Sequence, residues 1–133
     1  MSDMLPRLFF EHFQNTSFIA QSEDDSIAGF LVGFLSQSQP DEAYIHFIGV
    51  HPDHRKSGLG RVLYTQFFEV ARCNGRHTVT CVASPVNKIS IAFHLRMGFV
   101  PKPSQTCTNE GLPYLDNYDG KGEARVVFTK MLI

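Results

Sequence analysis

The stretch Val50-His51-Pro52-Asp53-His54-Arg55-Lys56-Ser57-Gly58-Leu59-Gly60-Arg61 decides the fold, because the pattern of the chain changes across it. Before it, Ala43 to Val50 is an apolar run that reads as a strand. After it, Leu59, Val62, Leu63, Phe67, Val70 and Ala71 recur at helical spacing until Asn74-Gly75 supplies a stop. Gly58 and Gly60, at the entrance of that helix, permit a positive φ and the close approach of another backbone or a ligand. The first-turn amides then point outward without intrahelical partners, and together with the positive end of the helix dipole they favour an anion. Arg55, Lys56 and Arg61 place three positive charges around the same amides.

Upstream, Met4 to Phe13 places Leu5, Leu8, Phe9 and Phe13 at helical spacing, and Gln14-Asn15-Thr16 ends that helix. Ser17 to Gln21 and Ile27 to Ser36 read as strands joined by an acidic turn at Glu23-Asp24-Asp25, and the continuous apolarity of the second predicts burial on both faces. Gln37 to Glu42 makes the next turn, so Glu42 is expected just outside the third strand. Downstream, Thr78 to Ala83 is β-branched and apolar, hence a strand. Ser84-Pro85-Val86-Asn87 offers cap residues for a helical stripe of Ile91, Phe93 or His94, Leu95 and Met97, closed by Gly98. Pro101 to Glu123, rich in Gly, Pro, Asn and Thr, predicts a long loop or irregular hairpin, and Val126 to Leu132 a last strand. The order predicts an α/β fold in the α+β sense, a mixed sheet with helices on its faces.

The 133 residues fit one domain, 1–133. A net charge of −1 gives no basic field to neutralise a run of phosphates, which excludes strong electrostatic nucleic-acid binding. The longest apolar run, Ile27 to Leu35, falls far short of the ~20 residues of a spanning helix, so no membrane association is expected. The amino end carries no secretory pattern. Cys73, Cys81 and Cys107 lack C-x-x-C spacing, which disfavours a disulfide framework or zinc knuckle and predicts a reduced, cytoplasmic protein. The six histidines show no metal spacing, so no metal is expected.

Neither of two familiar phosphate loops is present: there is no G-x-x-x-x-G-K-[ST], and Leu63 stands where a dinucleotide fingerprint needs a third glycine. Arg55-x-x-Gly58-x-Gly60 instead resembles the pyrophosphate loop of the GNAT (GCN5-related) N-acetyltransferase family, [Arg/Gln]-x-x-Gly-x-[Gly/Ala], with the strand before and the helix after in the expected order. A second resemblance is Asn87 opening the helical segment that ends in Gly98-Phe99. Together they cover most of residues 17–100 and imply the GNAT-like acyl-CoA N-acyltransferase fold. The activity implied is acetyl transfer from acetyl-CoA, as co-substrate, to an amine by direct attack in a ternary complex. A non-catalytic acyl-CoA-binding module or sensor is the alternative.

The resemblance also implies roles. The amides of Lys56, Ser57, Gly58, Leu59, Gly60 and Arg61 would hold the pyrophosphate, with Arg55 beside them. Backbone groups of Ile48, Gly49 and Val50 would hold the pantetheine arm at a strand bulge, for which Gly49 is suited. The Val50 amide would face the thioester oxygen, where negative charge develops. Asn87 would bind the cofactor arm, cap its helix, or do both. An ammonium acceptor, with a pKa of about 10, must lose a proton first. Simple alternation puts Tyr44, His46 and Ile48 on one face and Ile45 and Phe47 on the other, so Tyr44 or His46 could take that proton, directly or through water. His94 stands where the family usually carries the Tyr that protonates the departing thiolate, and it could donate through a neutral N–H or as imidazolium.

Typical relatives begin with a strand and a first helix that have no counterpart in this sequence. The implied consequence is an open edge near Ser17 to Gln21 and a homodimer or other self-association that covers it. A small-molecule amine is expected as acceptor in preference to a protein.

Overall fold

The computed structural model describes residues 7–55 and 57–132, so Lys56 and residues 4–6 of the expected first helix lie outside the described part. It contains three α-helices and six strands, the α/β class expected. They fall in two compact units, Met1–Val79 with Leu132–Ile133, and Thr80–Met131.

The first unit holds α1 (Arg7–His12), β1 (Phe18–Gln21), β2 (Ile27–Leu35), β3 (Glu42–Val50) and α2 (Leu59–Cys73). Strands β1, β2 and β3 lie side by side and antiparallel. Strand β2 is buried along most of its length, as its apolar run requires. Two of its glycines bring α2 onto the sheet: a Cβ on Gly33 would stand 2.6 Å from the Phe67 ring, and one on Gly29 would stand 3.0 Å from the Leu59 side chain. Only a residue without a side chain lets the helix approach this closely. The buried face of α2 is Leu63, Tyr64, Phe67, Phe68 and Ala71. Val62, expected in the stripe, is 59% exposed. The buried face is turned toward the long aromatic side chains Tyr64 and Phe68.

The opposite face of β2 carries Phe30, Val32 and Phe34, packed with Phe9, Phe10 and Phe47. Of the stripe expected on α1, Phe9 is buried, whereas Leu8 and Phe13 are 49% and 37% exposed. A 3-10 turn, Gln14–Thr16, follows α1, and Thr16 Oγ1 donates to the Gly33 carbonyl at 2.6 Å. Beyond the β2–β3 turn, Arg76 donates to the carbonyls of Ser36, Gln39 and Glu42 at 2.9–3.1 Å. That fork holds three carbonyls of the turn, and Glu42 belongs to β3 rather than to the turn expected for it.

The second unit contains the later residues of β4 (Thr78–Ala83), α3 (Lys88–Arg96), β5 (Val100–Pro101) and β6 (Val126–Met131), with β4 beside β6 and β6 beside β5. The two-residue β5 has no sequence signal, since Pro101 is a poor strand former. Residues 102–125 form the expected irregular connection, with isolated bridges pairing Cys107 with Pro113 and Leu115 with Arg125. None of the described helices is long and apolar enough to cross a membrane.

Candidate active site

Strand β3 leads into the loop through a 3-10 turn, Pro52–His54, in which His51 Nδ1 accepts from the Asp53 amide at 3.2 Å. The Pro-Asp turn thus gives His51 Nδ1 a hydrogen-bond donor. Ser57 Oγ donates to the His54 carbonyl at 2.6 Å and tightens the loop. Gly58 is the N-cap of α2 with φ 82°, and no described residue lies within 4 Å of where its Cβ would be. The helix starts in earnest with Val62 N–H donating to the Gly58 carbonyl at 3.1 Å. In a 15-residue helix the preceding first-turn amides have no intrahelical acceptor. Arg55, Ser57, Gly58 and Arg61 are exposed beside them, with Leu59 and Gly60 half-buried. Arg55 Nε reaches the Val50 carbonyl only weakly, at 3.4 Å. These features suit a pyrophosphate: donors, positive charge and a gap that a side chain on residue 58 would fill.

The face assignment in β3 needs correcting. Val32 pairs with Phe47 and Gly33 with Ile45, so His46 is the extra residue of a β-bulge. The bulge reverses the alternation beyond it. Tyr44 lies flat on Phe34 (centroids 5.3 Å), His46 flat on Phe9 (5.0 Å), and Phe47 against Phe30 (5.8 Å), so these three share a face. Ile48, in register with Leu31, joins Ile45 on the α2 side.

Gly49 is also corrected. The His51 amide donates to the Ala28 carbonyl at 2.8 Å, which makes His51 a hydrogen-bonded partner of β2. Antiparallel alternation then directs the Gly49 backbone groups to Phe30, while those of Ile48 and Val50 point away from β2. Gly49 lies in regular register and cannot offer its backbone to a ligand.

In the second unit, Asn87 caps α3, its Oδ1 accepting from the Ser90 amide at 3.1 Å. The cap uses the amide oxygen, and the Asn87 side chain is exposed. His94 is 4% exposed, stacked on Phe128 at 5.2 Å and edge-on to Phe93 and Phe99. Its Nδ1 stands 2.7 Å from the Ser90 carbonyl, an acceptor only, so Nδ1 carries the proton. Burial pushes the imidazole below its ordinary value, partly offset by that hydrogen bond. The neutral ring thus donates its Nδ1–H to the Ser90 carbonyl.

One polar group had no signal in the sequence: Thr80 Oγ1 is buried in β4 without a hydrogen-bond partner among the described residues. Burial pushes the thiol of its neighbour Cys81 up, so Cys81 stays an inert core thiol. Among the described residues no cluster of His, Cys, Asp or Glu could hold a metal ion.

An α/β chain with a glycine pair and left-handed cap opening its long helix has the makings of an acyl-CoA acyltransferase, and comparison with known families agrees. Residues 2–99 match the acetyltransferase (GNAT) family, and the chain belongs to that family. Among individual relatives, an L-amino acid N-acyltransferase of Escherichia coli (strain K12) is 38% identical over 55 residues, 41% of this chain and 32% of the relative. The crystal structure of a nourseothricin acetyltransferase is 30% identical, covering 88% of this chain and 65% of that one, with TM-score 0.71. A Salmonella typhimurium protein, yncA, described as a putative acetyltransferase and solved with its cofactor acetyl-CoA, shares the fold at 20% identity over 88% of this chain and 64% of its own, with TM-score 0.66. The matched segments span under half the length of the curated relatives.

Proposed function

We propose that this chain is an acetyl-CoA-dependent N-acetyltransferase acting on a small-molecule amine by direct attack within a ternary complex. The observation that carries the reading is the entrance of α2: the left-handed Gly58 with open space before it, the first-turn amides, and Arg55 and Arg61 at the surface. The family match and the relative named for L-amino acids support the same chemistry. Bound acetyl-CoA supplies an acetyl group activated as a thioester.

The chain's own residues have three tasks. The amides of residues 56–61 hold the pyrophosphate, with Arg55 and Arg61 adding charge. Ile48 and Val50 offer backbone groups to the pantetheine and to the thioester oxygen, and Asn87 offers the side-chain NH2 that its cap leaves over. Tyr44 or His46 takes the amine's proton, directly or through a water, His46 being the exposed one of the two. His94 takes part in returning a proton to the thiolate. We further propose that residues 1–133 act as one GNAT domain, since the family match runs from the first unit into the second.

Thiol release from acetyl-CoA across a panel of small amines, alongside calorimetric binding of acetyl-CoA, tests the reading. An enzyme releases thiol in an amine-dependent way. Binding without release would identify the sensor alternative, and no binding at all would end both.

A further inference from the structure

The bulge at His46 has assembled more than a pair of candidate bases. Because it turns His46 and Phe47 to the same face as Tyr44, one side of β2 and β3 carries a continuous group of rings. His46 lies flat on Phe9 (5.0 Å, 15°) and Tyr44 lies flat on Phe34 (5.3 Å, 27°). Phe13 joins them, 5.3 Å from Phe9 and 5.8 Å from Phe34. The group is not sealed: His46 and Phe13 are exposed, and Tyr44 and Phe34 are half-buried. An amine delivered to Tyr44 or His46 must therefore rest the remainder of its structure on ring carbon.

We infer that the acceptor is an amine borne on an aromatic or large apolar group, held against the Tyr44, Phe34, Phe13 and His46 rings. This rests on the reading of the chain as an N-acetyltransferase. Two physical points separate it from a cationic acceptor side chain. Cation–π attraction needs a free ring face, and in the stacked pairs Phe9–His46 and Phe34–Tyr44 one face of each ring is already taken by its partner. Rings already stacked present edges, which pack well against another ring or a branched aliphatic group. The carboxylate that alternation puts on this face, Glu42, sits at the start of β3, beside the turn that Arg76 clamps. A charged side chain on the acceptor would lose its hydration among the rings.

The test is kcat/KM for acetyl transfer to L-phenylalanine, L-leucine, L-lysine, L-glutamate, 2-phenylethylamine and 1,4-diaminobutane at saturating acetyl-CoA. The expected result is a preference of about tenfold or more for the aromatic and branched acceptors over the charged ones. Phe34→Leu should shrink the preference for the aromatic over the aliphatic acceptor to within about threefold, with the KM for acetyl-CoA unchanged. Because Phe34 also packs against Phe9, Phe13→Leu at the exposed rim serves as a second variant, and it should move the ratio the same way. Preference for lysine or diaminobutane would overturn the inference, leave the enzyme reading intact and direct attention to Glu42. Preference for glutamate would overturn it equally. Thiol release with none of the six would overturn both readings.

Discussion

Gly58 has two separable reasons to be glycine. Its φ of 82° costs an L-residue about 1 kcal/mol or more, and the space before it lets a ligand meet the helix amides. No described residue occupies that space, so Gly58→Ala should lower stability by only about 1 kcal/mol. Its effect on acetyl-CoA should be larger, a loss of at least about tenfold in affinity, because the new methyl stands where the phosphates approach. Thermal melts and calorimetry on one preparation separate the two. A variant that loses stability but binds normally would remove the loop from the site. His94 makes a second prediction of its own. With its imidazole depressed by burial, the unfolded chain binds a proton at a pH where the folded chain does not. The stability His94 contributes is thus complete above about pH 6.5, the ordinary histidine value, and is lost as pH falls through the depressed value. Urea midpoints measured downward from pH 7.5 should show a decline that His94→Phe removes. An identical decline in the variant would assign the titration to another group.

At the scale of elements, α3 depends on one side chain with two ends. Asn87 Oδ1 accepts from the Ser90 amide, leaving the side-chain NH2 for the cofactor. Asn87→Asp keeps the cap oxygen and replaces the donor with an anion; it should leave the melting temperature nearly unchanged and weaken acetyl-CoA binding. Asn87→Ala should cost about 1 kcal/mol of stability as well. Equal binding by wild type and Asn87→Asp would leave Asn87 with the cap alone. The cap, like the helix that follows Gly58, was legible because its determinants are local: a short polar residue before an apolar stripe, a glycine where φ turns positive. The bulge at His46 was not. Ala43 to Val50 reads as an uninterrupted strand, and the extra residue exists only in the pairing with β2, where Val32 meets Phe47 and Gly33 meets Ile45. Alternation therefore assigned Ile48 and Phe47 to the wrong faces while placing Tyr44 and His46 together. The glycines of β2 were visible as letters, but the reason for them, the Phe67 and Leu59 side chains against the strand, lies in a tertiary approach that spacing does not encode. His94 was found by its distance from Asn87, yet its proton is located by the Ser90 carbonyl, which no sequence pattern reveals.

For the whole molecule, the question is whether the two compact units are independent. The chain leaves the first unit between Val79 and Thr80, in the interior of β4, and re-enters it at Leu132, just after β6. Neither crossing has the Gly, Ser or Pro-rich composition of a linker. Half of a six-residue strand cannot keep its ladder while the other half melts, since each residue's backbone groups depend on those beside it. The return is fastened too, with the Leu132 amide donating to the His77 carbonyl at 2.7 Å immediately before β4 begins. A chain joined in this manner should unfold as one cooperative body, as single domains of this length usually do. Native-state hydrogen exchange reads this directly: the slowest amides of β2 and of β6 should give the same opening free energy and the same dependence on added denaturant. Tyrosine absorbance, drawing on Tyr44 and Tyr64 in one unit and Tyr114 and Tyr118 in the other, should follow the same urea curve as far-UV circular dichroism. Two sets of slow amides with distinct opening free energies would show that the units fold separately, and would divide the proposed single domain at β4.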